Sequence, residues 1–276
     1  MQSLDNLRPA DAAFLERAEA ARNSTGPRAV LLLVGSRAAG YAGTHSDLDL
    51  WIIGDKQCLS PHERQRYDLR GSLFVDRGDL EAHWTFYDEQ DLAKRLGQWH
   101  SEMMWIISTA QVLDGHADTL VQLQQKFGRF PRDIAESKLR WLIGQFRSQP
   151  SGMWKAAGSG RLPSALAMAG QAIDSLCRVC CVAEQKPWPY TKWLTEVARS
   201  TQAGQVLCPF LDRMTQALIQ TPRSCLDLPS SHWSPRQHLN EALAALPATL
   251  HQLGWHGDWV DDPWKAVDEM MRRECP

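Results

Sequence analysis

The sequence predicts an α+β chain, with a strand-rich N-terminal part followed by an all-α helical bundle. Three observations predict it. Residues from about 29 to 90 carry short apolar runs separated by glycine-containing turns. From about Asp88 onward, apolar residues recur at three- and four-residue intervals. Prolines and glycines then cut that second stretch into helix-length pieces. A chain of 276 residues has room for two cores, and the change of pattern divides it into domains 1–112 and 113–276.

Met1 to Asn23 is charged and amphipathic rather than a signal peptide, and its Asp11–Ala18 portion reads as a first helix packed on the N-terminal domain. Leu31 to Val34 is an apolar strand that runs into a Gly35-Ser36 turn. Ten residues later, Asp47-Leu48-Asp49-Leu50 opens a second strand. Strand side chains alternate, so Asp47 and Asp49 project from one face while Leu48 and Leu50 point to the other. Two neighbouring carboxylates repel unless a cation lies between them, and Mg²⁺ suits their hard oxygens. Gly35 lets the backbone approach a ligand closely, and Ser36 offers a hydroxyl and an N–H to phosphate oxygens. The segment therefore reads as a phosphate grip beside a divalent-metal site.

A further strand is expected over Asp79 to Tyr87, rich in aromatic and β-branched residues. Asp79, Glu81, His83 and Thr85 share one face; Leu80, Trp84 and Phe86 share the other. Asp76-Arg77-Gly78-Asp79 reads as a turn closing a hairpin with residues 72–75. Helices follow at Asp91–Leu96 and Met103–Ile107, a connector at Leu113–His116, and another helix from Thr119 to Phe127. The next begins near Pro131 and runs through Leu139, Leu142 and Phe146 until Gln149-Pro150-Ser151-Gly152 breaks it. Gly158-Ser159-Gly160 with Pro163 marks another break, so the second part reads as a bundle of about five helices.

Gly35-Ser36, then ten residues, then Asp47-x-Asp49 between apolar neighbours resembles the signature of the polymerase-β-like nucleotidyltransferase superfamily. Arg37, Gly40 and Ser46 extend the match, which covers only the segment around these residues. The resemblance implies an α/β catalytic domain with a short mixed sheet, and a Gly-Ser turn that opens a helix holding the NTP triphosphate. It also implies three carboxylates carrying two Mg²⁺ ions, the third of them acting as base for the attacking hydroxyl. Glu81, well inside its strand, is the choice for that third carboxylate; Asp79 is the competitor. A streptomycin/spectinomycin adenylyltransferase has a similar Glu followed by a short β-rich run. In organisation the chain is similar to small-molecule, aminoglycoside-type adenylyltransferases with a helical C-terminal domain. That likeness implies Asp47, Asp49 and Glu81 as catalytic and metal-holding residues, with Gly35, Ser36 and Arg37 at the triphosphate of ATP or another NTP.

Lys186 to Leu194 contains two prolines, which exclude a helix up to Pro189, and Tyr190 to Arg199 can restart one. Helical domains of small-molecule nucleotidyltransferases often carry a similar turn, whose Lys and Tyr reach the triphosphate. This implies Tyr190 and Lys192 as nucleotide contacts. Read from the residues alone, the segment is equally a helix joint with tryptophans in the core and lysines in water.

Composition narrows the partners. With 30 Lys and Arg against 32 Asp and Glu, the net charge is −2, which does not suit extended binding to nucleic acid. No apolar run is read as reaching the roughly 18–20 residues that cross a bilayer. Seven scattered cysteines suit a reducing, cytoplasmic setting better than a disulfide framework. Cys177-x-x-Cys180-Cys181 lacks a second pair for zinc and lies in an apolar helical stretch, so core packing is favoured. The Trp255, Trp259 and Trp264 region, with Asp258, Asp261 and Asp262, reads as a solvated acidic tail or as a cleft for a polycationic acceptor. The expected activity is transfer of a nucleotide, AMP from ATP, to a hydroxyl of a small molecule such as an aminoglycoside-like antibiotic. The alternatives are a protein- or RNA-directed nucleotidyltransferase, such as an antitoxin-like enzyme, and a non-catalytic nucleotide-binding regulator.

Overall fold

In the computed structural model, residues 9–43, 46–76, 82–220, 234–262 and 264–265 are described. The chain divides into two compact units, Met1–Arg129 and Phe130–Pro276.

The first unit is built on a five-stranded mixed sheet. Helix α1 (Pro9–Ser24) leads into β1 (Val30–Leu33), the short helix α2 (Gly35–Ala39) and β2 (Leu48–Gly54). A single 3-10 turn at Lys56–Cys58, helix α3 (Pro61–Arg70), β3 (Leu73–Asp76) and β4 (Ala82–Asp88) come next. Helices α4 (Glu89–Leu96) and α5 (Ser101–Thr109), strand β5 (Gln111–Gly115) and helix α6 (Ala117–Phe127) complete the unit. The strand order is β3-β4-β2-β1-β5. Only β2 and β4 run parallel; the other three pairs are antiparallel.

Burial follows the alternation in β2. Leu48, Leu50 and Ile52 enter one core with Leu31, Leu33, Phe86 and the α1 residues Phe14 and Ala18. All four residues of β1 are buried, as expected for a strand covered on both faces. Trp84 packs, partly buried, against the same core. The hairpin expected before it is present as the antiparallel β3–β4 pair. The residues that join its strands, with both Asp79 and Glu81, lie outside the described residues.

Capping chemistry fixes the helix starts around the sheet. Ser60 and Glu63 form a reciprocal capping box at α3, with Pro61 at the first helical position. Asp88 ends β4 and caps α4 by accepting from the N–H groups of Gln90 and Asp91. Asp91 in turn accepts from Lys56 Nζ at 2.9 Å and from the buried Tyr67 hydroxyl at 3.2 Å. The Lys56 ammonium holds the Asp91 carboxyl below its ordinary range, and Asp91 raises Lys56. Burial pushes the Tyr67 phenol above its usual value.

The segment expected as a connector, Leu113–His116, is largely strand. Leu113 to Gly115 belong to β5, which pairs antiparallel with β1, and α6 packs on both strands. Its exposed edge position removes the burial alternation that would reveal it. These pairings keep β5 and α6 with the sheet, inside the unit that runs to Arg129.

The second unit is helical: α7 (Arg132–Gly158), α8 (Leu162–Ala183), α9 (Thr191–Arg199), α10 (Gln202–Gln220), α11 (Ser234–Gln252) and the short α12 (Asp258–Asp261). Helix α8 packs against α7, α9 and α10, while α11 packs against α7, α10 and α12. Helix α7 does not break at Pro150. A mid-helix proline costs about 3 kcal/mol, but the turns around it bury the apolar side chains of Phe146, Pro150 and Met153. Burying one such apolar side chain contributes roughly 1.5–3 kcal/mol, enough to offset that cost when several are buried. Gly152 lies close to α8: a Cβ on it would come 2.0 Å from the Met168 terminal methyl.

Helix α8, at 22 residues with a mean hydropathy of 1.4 over its best window, is long and apolar enough to cross a membrane, contrary to the sequence expectation. Within the unit, 56% of that window is buried. Cys177, Cys180 and Cys181 are among its buried residues. Trp255 and Trp259 are also core residues, at 1% and 3% exposure, rather than part of a solvated tail. The Trp255 indole donates to the Ala183 carbonyl at 2.7 Å, and the Arg132 guanidinium lies 3.4 Å from its ring centre.

Candidate functional site

The first unit brings Gly35, Ser36, Arg37, Asp47 and Asp49 into one neighbourhood because β1 and β2 are adjacent antiparallel strands. Leu33 pairs with Leu50, and the N–H of Val34 donates to the Asp49 carbonyl at 3.0 Å. The chain leaves β1 and turns at Gly35, whose φ of +70° favours glycine. A side chain there is also excluded by contact. A Cβ on Gly35 would lie 2.3 Å from Asp49 Oδ2 and 3.1 Å from its carboxyl carbon. The space beside this glycine is filled by the carboxylate of Asp49.

Ser36 follows within α2 and is 5% exposed, with its carbonyl accepting from the Tyr41 N–H at 2.9 Å. Gly40 closes the short helix in a left-handed conformation. Arg37 reaches across to the start of β2. Its Nε donates to the Asp47 carbonyl at 3.0 Å and its Nη2 to the Ser46 carbonyl at 2.7 Å. These two bonds hold the backbone on which Asp47 is carried. Asp47 itself is exposed just before the strand, while Asp49 is half-buried within it.

The parallel β2–β4 pair supplies a residue that sequence reasoning did not assign to the site. Asp49 is in register with His83, and His83 Nε2 lies 2.9 Å from Asp49 Oδ1. The imidazole is flanked by the Phe74 ring, 5.0 Å away between centres. The signal available in the sequence was that His83 lies on the same expected strand face as the acidic candidates. Its register against β2 was not available, because parallel pairing leaves no turn from which to count.

Mg²⁺ fits the chemistry of these donors. It is commonly held by one or two carboxylates, with phosphate and water oxygens completing its shell. Asp47 and Asp49 provide such oxygens, and Asp49 Oδ2 lies against the Gly35 turn. Among the described residues, no group of three His, Cys, Asp or Glu side chains is disposed to hold a metal.

Tyr190 and Lys192 belong to the second unit, at the start of α9. Tyr190 is 43% exposed and precedes the first helical residue, while Lys192 lies in the first turn with its ammonium 5.6 Å from the Trp193 ring centre. Trp188, nearby in sequence, is buried against Phe130 and flanked by the cations of Lys138 and Arg178. Burial lowers the Lys138 ammonium below its ordinary range.

No family model matches the chain, and no curated protein matches its sequence. Its structure is similar to that of a nucleotidyltransferase-like protein from Exiguobacterium sibiricum 255-15, at 12% identity and a TM-score of 0.47, over 93% of this chain and 89% of that one. Nothing about chemistry follows from a likeness of that degree.

Proposed function

We propose that the chain is an Mg²⁺-dependent nucleotidyltransferase that moves AMP from ATP onto a hydroxyl of a small molecule, releasing pyrophosphate. An aminoglycoside-like antibiotic is the acceptor class we favour, and the scattered cysteines favour a cytoplasmic setting. The observation that carries the reading is the Gly35–Asp49 cradle: a glycine turn beginning a short helix, with a carboxylate seated against it and a second carboxylate two residues upstream. The β2–β4 register adds support. Ala82, which directly follows Glu81 in the chain, pairs with Leu48 between the two aspartates.

In this reading Asp47 and Asp49 hold the metal, and Ser36 and the Gly35 turn orient the triphosphate. Arg37 fixes the Asp47 backbone through its two carbonyl contacts and keeps further N–H groups for phosphate oxygens. Glu81 takes the proton of the acceptor hydroxyl as its oxygen bonds to the α-phosphorus and the bond to pyrophosphate breaks, with Asp79 as the competing base. Mg²⁺, when bound, neutralises triphosphate charge and acidifies the hydroxyl. Tyr190 and Lys192 are kept as nucleotide contacts on the strength of the family-like turn alone. His83 orients the Asp49 carboxylate.

The test incubates the full chain with α-labelled NTPs, Mg²⁺ and panels of aminoglycosides, other small hydroxyl compounds, proteins and tRNA. Label on a small acceptor that disappears in Asp47→Asn supports the proposal. Label on a protein or RNA replaces the acceptor class. NTP binding without transfer or pyrophosphate release overturns the enzymatic reading.

A further inference from the structure

The second unit carries a thiol cluster unrelated to nucleotidyl chemistry. Cys177 and Cys180 lie three residues apart on α8, hence on one face, and Cys208 lies on α10, which packs against α8. The thiols of Cys177 and Cys180 both act on Cys208 across this packing. All three residues are buried, at 0%, 0% and 3% exposure. Cys177 and Cys208 nevertheless line a cleft of about 430 Å³, together with Arg199, Asp212, Thr195 and Leu211. Arg199 is paired there with Asp212 and is half-exposed.

From this geometry we infer that Cys208 is a peroxide-sensitive thiol and that Cys177 is its resolving partner, the pair closing to a disulfide that ties α10 to α8. A merely structural cysteine would be enclosed by apolar groups. Cys208 instead faces a cleft large enough for hydrogen peroxide or a small organic hydroperoxide, with a guanidinium on its wall. Donation from the Cys177 and Cys180 thiols, reinforced by the Arg199 charge, pulls the Cys208 thiol below its ordinary range. Burial and the same bonds push Cys177 and Cys180 up. The cleft itself separates the partners, since Cys177 and Cys208 line it and Cys180 does not.

The chemistry balances with a hydroperoxide as oxidant. The Cys208 sulfur attacks the terminal peroxide oxygen, the O–O bond breaks, an alcohol or water leaves, and Cys208 becomes a sulfenic acid. The Cys177 sulfur then attacks the Cys208 sulfur. The S–S bond forms, the S–O bond breaks, and hydroxide leaves with the Cys177 proton as water. Two electrons pass from the two thiols to the peroxide.

The test treats the full-length chain with hydrogen peroxide, alkylates remaining thiols after denaturation, and maps tryptic peptides by mass spectrometry. Cleavage after Arg178 puts Cys177 on peptide 162–178 and Cys180 on peptide 179–192, while Cys208 falls on 200–213. The linked pair therefore names the partner. The expected product is 162–178 joined to 200–213, reversed by a dithiol reductant. Arg199→Gln, in which the Cys208 peptide becomes 193–213, should slow formation of the link about fivefold and Arg199→Lys should restore the rate; neither touches a cysteine or a buried position. Cys208 recovered as a free thiol at a dose that oxidises the exposed Cys58 would overturn the proposal. So would linkage of Cys208 to any cysteine other than Cys177, or an unchanged rate in Arg199→Gln.

Discussion

The carboxylate of Asp49 occupies the place where a side chain on Gly35 would stand: a Cβ there would meet Oδ2 at 2.3 Å. Gly35→Ala therefore has two costs, a left-handed backbone worth about 1–2 kcal/mol to an L-residue and displacement of the carboxylate. Thermal or denaturant unfolding should show a loss larger than the backbone cost alone. In an Asp49→Ala background the loss should shrink, because the obstructing oxygens are gone. A double-mutant cycle measures that coupling, and additivity would refute the contact.

His83 touches Asp49 rather than the proposed substrate, so its loss should disturb the site without dismantling it. His83→Ala is expected to lower kcat by about tenfold to a hundredfold, as loss of an orienting partner does. Asp47→Asn and Asp49→Asn should abolish transfer while leaving the far-ultraviolet spectrum intact. Restoration of kcat by His83→Gln, which keeps a donor, would separate orientation from charge.

Tyr67 is buried, receives the Asp88 N–H at 3.1 Å and donates to Asp91. Tyr67→Phe keeps the ring but leaves the Asp88 N–H without that oxygen. A loss of about 1–3 kcal/mol in denaturant unfolding is expected. An unchanged midpoint would mean that the hydroxyl contributes nothing to joining α3 to β4.

Asp91 gives a pH dependence of definite sign. Its folded-state value is depressed, chiefly by the Lys56 hydrogen bond, so its contribution is complete above the ordinary carboxylate pKa and falls away as pH drops through the depressed value. Lys56 is raised, so its contribution is complete below the ordinary lysine value and is lost as pH rises through the raised one. The pair is only partly covered, hence the effect is small and weakened by salt. Melting temperatures of the parent and Asp91→Asn should converge toward the acid end and separate near neutrality, with less separation in high salt.

Much of the backbone around Gly35 and Asp49 was legible because its parts are local. The apolar run into Gly35-Ser36 and the alternation from Asp47 to Leu50 each need only a few residues to declare themselves, and the structure has β1, α2 and β2 there. The hairpin of β3 and β4 was legible for the same reason. What escaped depends on distant neighbours. Strand β5 is an exposed edge whose partner lies far back in the chain, and Pro150 is overruled by burial against helices that a propensity argument does not see. The pairing of His83 with Asp49 is a matter of parallel register, which no turn encodes.

The parallel pairing of β2 and β4 also bears on the order in which the molecule assembles. A hairpin such as β3–β4 can close on its own from neighbouring residues, but β2 cannot meet β4 until the 3-10 turn, α3 and β3 have crossed from one end of the strands to the other. The Asp49–His83 contact therefore waits on a long chain closure, the kind of event that slows folding. In an early, partly collapsed chain Asp49 stands without its histidine. The proposed metal pocket is thus a late product of folding rather than a nucleus for it.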